Sequence, residues 1–312
     1  RNSATELVPE SSDQRVFLDT LAADYPAVAS PAIVVVADAP PEDVNRWAQE
    51  VAALPGVASV DPARSEGPIT VLGVRPATDD AGGPLASDVV RAVRELEPGF
   101  DTWVAGQAAT QIDFVGAMID GLPWAASIVV IATLVLLFLM TGSVLVPIKA
   151  LVINLLSLTA SIGVTAWVFQ QGNLEGLLGF TSVGGLESYV VAIALAFGFG
   201  LAMDYEVFLL ARIQELYDSG MSSDDAVKYG LQRSGRVITS AALIIILVFL
   251  GFVAGQLLVI KEVGVALAVT VLVDATLVRL LLVPATMTLL ADKNWWAPAP
   301  LRRFHQRYAI RH

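Results

Sequence analysis

The chain has 312 residues, of which 55% are hydrophobic and only 16% charged, with a net charge of −11. Soluble domains carry about a quarter charged residues, so the composition points to lipid as part of the solvent, and the negative balance argues against nucleic acid as a partner. There are no cysteines, and the only histidines, His305 and His312, lie in the C-terminal tail; this excludes disulfides, thiol chemistry, and a histidine triad or zinc centre in the folded body, and no cofactor is expected.

The charge is unevenly placed: residues 1–120 hold 19 of the 30 acidic residues and 7 of the 19 basic ones. Within this region Asp13 to Tyr25 reads as an amphipathic helix, with Val16, Phe17, Leu21 and Tyr25 near one face. Ile33 to Val36 reads as a short buried strand. Pro41 to Leu54 reads as a helix opened by proline and striped by Val44, Trp47, Val51 and Leu54. Strands are predicted at Val57–Val60, Ile69–Val74 and Thr102–Ala105, with a turn-rich linker over Asp79–Pro84 and a second helix over Leu85–Leu96. The order βαββαβ is that of an α+β ferredoxin-like fold. That fold hosts many functions and names none.

From residue 121 the character changes. Apolar runs at 122–141, 146–169, 189–210, 237–257 and 263–290 each approach or exceed the ~20 residues that cross a hydrocarbon core. The spacing therefore predicts an α-helical polytopic membrane protein with five spans in residues 121–291. A connecting helix is predicted at about 213–230 and a tail at 292–312. Arg212, Lys228, Arg233 and Arg236 follow the third span, and the tail carries Lys293, Arg302, Arg303, Arg307 and Arg311. By the positive-inside rule both segments are cytoplasmic, which leaves residues 1–120 and a short turn near Lys261 outside. Trp124, Trp167, Trp295 and Trp296 fall near span ends, as in an aromatic belt. The chain opens on Arg1 without a signal segment, so an upstream span, the sixth of this half, is expected beyond it.

The candidate functional residues are the charges inside the spans. Asp204 lies eight residues before Arg212, about 12 Å from the cytoplasmic end, and Asp274 lies about 16 Å from the outer end of the last span. A charge at such depth costs at least ~2.5–3.5 kcal/mol. A carboxyl that gains and loses a proton there can serve as a carrier, driven by ~2.3 kcal/mol per charge per 100 mV. Arg279 is five residues from Asp274, about 140° round an α-helix, so it is expected to reach another helix or to snorkel rather than to pair with Asp274. Tyr205 can donate to a carboxylate on an adjacent helix, and Glu206 reads as a further acidic group towards the cytoplasm. The competing reading for each is structural: polar side chains also hold helices together. Asn154 and Ser157 read as interhelical hydrogen-bonding groups. Ala194-Gly198-Ala202 and Ala192-Ala196-Gly200 read as small-residue packing stripes. No metal site and no nucleophile–base set is present, so an enzyme is not expected.

The run Gly200-Leu201-Ala202-Met203-Asp204-Tyr205-Glu206-Val207-Phe208-Leu209 resembles the MMPL (mycobacterial membrane protein large) family of the resistance–nodulation–division superfamily. Gly235 to Ala242, Asp274 to Arg279, Pro284 to Met287, Thr141-Gly142-Ser143-Val144 with Pro147, and Asn294-Trp295-Trp296 fit as well. The resemblance covers nearly the whole chain and is to the C-terminal half of such a transporter. It implies export of lipids or glycolipids across the inner membrane by proton antiport. It also implies a proton relay of Asp204, Tyr205, Asp274 and Arg279, an extracytoplasmic porter domain, and an N-terminal half as partner. The competing expectation is a non-transporting sensor or scaffold whose external domain binds a lipid or a protein.

Overall fold

The computed structural model describes residues 12–24, 30–78, 80–182 and 184–308; Tyr25, Asp79, Arg311 and His312, named above, lie outside them. The chain divides into two compact units, Arg1–Gly121 and Leu122–His312.

The first unit begins with α1 (Asp13–Asp24). Its expected apolar face is not covered, since Val16 and Phe17 are both exposed. A small antiparallel sheet follows, made of β1 (Ile33–Ala37), β2 (Val57–Val60), β3 (Arg64–Glu66), β4 (Ile69–Pro76) and β5 (Thr102–Ala105). The strands run β2-β4-β1-β5, with β3 paired to β4. Val35 stands opposite both Leu72 and Val104. Alternation decides which face is inside: Ile33, Val35 and Ala37 of β1 are fully buried while Val34 and Val36 are only partly so.

Helices α2 (Pro41–Ala52) and α3 (Pro84–Glu95) cover that face with Val44, Trp47, Val51 and with Ala86, Val89, Val90, Val93. Both open on proline, whose fixed φ suits a first helical turn. Strand β3 was not legible in the sequence. Its three residues are all exposed and it exists through backbone pairing across a two-residue Gly67-Pro68 turn. Gly67 there adopts φ 69°, as the first position of a tight hairpin requires.

Among the described residues five helices are long and apolar enough to cross a membrane: α4 (Gln107–Thr141), whose residues up to Gly121 belong to the first unit, and, in the second, α5 (Leu145–Phe169), α7 (Ser188–Asp218), α8 (Ser223–Val253) and a composite helix over Leu258–Trp295. A short α6 (Glu175–Leu178) precedes α7. The composite helix comprises α9 (Leu258–Val273), a π-helical segment (Asp274–Leu282), α10 (Val283–Leu290) and a 3₁₀ turn. The last helix is α11 (Ala299–Tyr308).

One expectation is corrected here. The separate connecting helix at about 213–230 does not exist. α7 continues to Asp218, a turn follows, and Ser222 caps α8 by accepting from the Asp225 backbone N–H. The polar residues of that stretch form helix ends, each stabilised by propagation from an apolar span. The short turn expected near Lys261 falls at residues 254–257; Lys261 itself lies just inside α9 and is buried, its ammonium donating to the Leu178 and Gly179 carbonyls at 2.5 and 2.7 Å.

The two small-residue stripes of α7 separate cleanly. Ala194, Gly198 and Ala202 are buried, whereas Ala196 and Gly200 are exposed. A methyl group at Gly198 would lie 2.8 Å from Leu158 Cδ2 and 2.9 Å from Thr270 Cγ2, so α5, α7 and α9 cross closely there; at Gly200 it would meet nothing. We expect Gly198→Val to lower stability by about 1–3 kcal/mol, the usual cost of overpacking. Gly200→Ala should be neutral or stabilising by up to about 1 kcal/mol. Thermal midpoints of the purified protein in detergent check the contrast.

Two stretches quoted for the resemblance, 150 residues apart, meet at one end of this unit. The Ser143 hydroxyl donates to the Asn294 carbonyl, and the Val144 N–H donates to the Trp296 carbonyl at 3.1 Å. The Asn294 amide donates to the Met287 and Ala291 carbonyls at 2.6 Å each, and Trp295 stacks on Tyr217 of α7.

Candidate functional site

Three of the intramembrane charges, Glu206, Asp274 and Arg279, lie where α5, α7 and the π-helical segment pack. The geometry starts from the backbone of the last span. Residues 274–282 are wound as a π-helix, in which hydrogen bonds run i to i+5 rather than i to i+4. Asp274 and Arg279 therefore come onto one face. Arg279 Nε donates to Asp274 Oδ2 at 2.7 Å, and both residues are buried. The expectation that Arg279 would not pair with Asp274 is overturned, because the 140° separation assumed an α-helical period that this segment does not have.

Arg279 also reaches α7. Its Nη2 donates to the Ala202 carbonyl at 2.9 Å, and the guanidinium carbon lies 4.7 Å from the centre of the Tyr205 ring. Face-on approach of a cation to an aromatic ring is itself attractive, about 2 kcal/mol or more when desolvated. Arg279 is thus held by a carboxylate, a carbonyl and an aromatic face. Its Nη1 has no hydrogen-bond partner among the described residues.

Glu206 is the second buried acid, at 4% exposure. Asn154 of α5 donates to its Oε2 at 3.1 Å, while Oε1 has no partner among the described residues. Asn154 thus makes the interhelical bond expected of it; the Ser157 hydroxyl, also buried, shows no partner among the described residues. Lys149, four residues from the start of α5, donates to Asn294 Oδ1 at 3.4 Å. It was not singled out from sequence, although a lone cation inside an apolar run is the signal that could have found it.

Asp204 is placed differently. At 100° per residue Ala202 and Glu206 fall within 40° of each other on α7, and Asp204 lies 160–200° away. Ala202 and Glu206 are buried while Asp204 is exposed, with no hydrogen-bond or ion-pair partner among the described residues. The structure therefore brings together Asp274, Arg279 and Tyr205, with Glu206 bonded to α5 beside them. It leaves Asp204 on the far side of the same helix turn.

This arrangement can hold charge at depth. A charge removed from water costs several kcal/mol unless it is paired and hydrogen-bonded, and Asp274 and Arg279 offset each other directly. Among the described residues no group of three or more His, Cys, Asp or Glu side chains could hold a metal ion.

The MMPL family model matches residues 11–309. The chain belongs to the MMPL family. Similar proteins include a putative membrane protein of Streptomyces coelicolor, 42% identical over 97% of this chain and 43% of its own length. Membrane protein YdfJ of Bacillus subtilis is 34% identical over 93% of this chain and 41% of its own length. The trehalose monomycolate exporter MmpL3 of Mycolicibacterium smegmatis is 37% identical over 72% of this chain and 22% of its own length. This MMPL chain thus spans less than half the length of these relatives. Family membership and five apolar helices make it a multi-pass membrane protein of a transporter family.

Proposed function

We propose that this chain is one half of a transporter that exports lipids or glycolipids across the inner membrane at the expense of the proton gradient. The observation that carries the proposal is the buried Asp274–Arg279 pair, bound through Arg279 to α7 within one turn of both Glu206 and Asp204. Neutralising Asp274 removes half of that pair and changes how strongly the last span holds α7. One proton can thereby be converted into a helix rearrangement. A lipid or glycolipid cargo is supported by relatives named as exporters of trehalose monomycolate and of mycolic acid-containing lipids.

In this reading Asp204 and Tyr205 act with Asp274 and Arg279 in the relay, and the exposed Asp204 face of α7 receives the N-terminal half. The sheet order β2-β4-β1-β5 supports a ferredoxin-like porter domain. The Lys/Arg distribution supports an extracytoplasmic first unit and a cytoplasmic C-terminus.

The test is export from proteoliposomes holding the full transporter with both halves. Export follows an imposed proton gradient and stops when a protonophore collapses it. Export that continues without a gradient overturns proton coupling. Lipid binding with no export under any gradient overturns transport and leaves the scaffold reading.

A further inference from the structure

A second pair of carboxyl groups lies in the helical unit, at the end of the bundle where α5 finishes and α7 and α9 begin. Glu187 immediately precedes α7 and is 1% exposed; Glu262 lies in the second turn of α9 and is 0% exposed. They touch: Glu262 Oε2 accepts the Glu187 backbone N–H at 3.3 Å. Glu262 thereby satisfies one of the donors left open where a helix begins, which explains one of its oxygens. The remaining three carboxyl oxygens, both of Glu187 and Oε1 of Glu262, are buried with no hydrogen-bond partner among the described residues.

Buried acceptors without donors, each on a group that would carry charge, are costly enough that native structures supply a partner. Lys261, next in sequence to Glu262, does not supply it, because its ammonium is committed to the Leu178 and Gly179 carbonyls. Glu175 of α6 accepts from the Ser182 N–H, and Tyr189 is the other titratable group of the described residues near the pair.

We propose that Glu187 and Glu262 form a proton-binding site that holds one proton on Glu187, so that the pair carries a single negative charge. Glu262 is the acceptor member because it already receives the Glu187 N–H. Glu187 carries the proton because neither of its oxygens is bonded. A metal cation fits less well: hard cations take six to eight oxygen ligands, and the two side chains together supply only three carboxyl oxygens without a partner among the described residues. Burial pushes the Glu187 carboxyl up from its ordinary 4.5 to about 7, as a proton held within the pair requires. The site needs nothing from the export reading, and its test uses no transport.

The sign follows from linkage. Between pH 4.5 and 7 the folded chain holds a proton that the unfolded chain has released, so stability falls as pH rises through that window. The test is the thermal midpoint of the detergent-solubilised chain from pH 4.5 to 8.5, with infrared spectra of the carboxyl C=O stretch over the same range. The wild type should lose midpoint as pH rises towards 8. Glu187→Gln, neutral at every pH, should have a shallower slope than the wild type, exceed it at pH 8, and lack one protonated-carboxyl band at pH 6. Glu262→Gln removes the neighbouring charge and should move the fall to lower pH; this variant decides the matter if Glu187→Gln does not fold. Unchanged slopes in both variants, with the band retained, overturn the proposal. So does a midpoint at pH 8 that sodium or potassium raises in the wild type but not in Glu187→Gln, since a metal cation would then occupy the site.

Discussion

Arg279→Gln is expected to destabilise the helical unit by about 3–5 kcal/mol, the cost of leaving a buried carboxylate without its partner. Arg279 is 2% exposed and Asp274 6%, so neither charge can recover its hydration by moving into water. Glutamine ends at the level of the Arg279 Nε, so it can still donate to Asp274 but loses the Nη2 bond to the Ala202 carbonyl together with the charge. The double variant Asp274→Asn/Arg279→Gln should recover most of the deficit, because replacing both members of a buried pair is often close to neutral. Thermal midpoints of the four species in detergent form the cycle that separates the pair from its members. A single variant as stable as wild type would show that Asp274 is already neutral in the folded chain, and the Asp274–Arg279 attraction would drop out of the site's energetics.

That pair also marks where sequence reasoning failed. Two periods, 2 for strands and 3.6 for helices, were enough to find four of the five strands and all five apolar helices. Ile33-Val34-Val35-Val36 alternates in burial as a half-buried strand must, and Val44, Trp47 and Val51 fall on the covered side of α2. The π-helix of residues 274–282 obeys neither period. Its signal is one residue too many between two groups that must meet, Asp274 and Arg279, and no propensity scale registers that. Strand β3 failed for the opposite reason: Arg64, Ser65 and Glu66 bury nothing, so no hydrophobic pattern exists to read. Glu187 and Glu262 were passed over because each stands at the edge of an apolar run, where a charge usually meets water. Only the packing of α9 against α7 shows that both are enclosed.

Asp204→Asn should abolish proton-coupled export by the full transporter while leaving its assembly intact. The substitution keeps the shape of the side chain and removes its ability to carry charge. If one proton per cycle is lost, the driving force falls by ~2.3 kcal/mol for each 100 mV, equivalent to roughly 50-fold in the concentration ratio that can be sustained. The structural contrast within α7 makes the experiment informative. Glu206 is buried and bonded to Asn154, so Glu206→Gln retains a group that can accept that bond and tests charge alone on the packed face. Asp204 is exposed, so Asp204→Asn tests charge on the face proposed to meet the other half. Loss of export in Asp204→Asn with a partial effect in Glu206→Gln places the carrier on the exposed face. The reverse ranking moves the carrier to the Glu206–Asn154 contact beside Arg279. Export at wild-type rate and gradient dependence in both variants would mean that neither α7 carboxyl carries the proton, leaving Asp274 as the remaining carboxyl of the proposed relay.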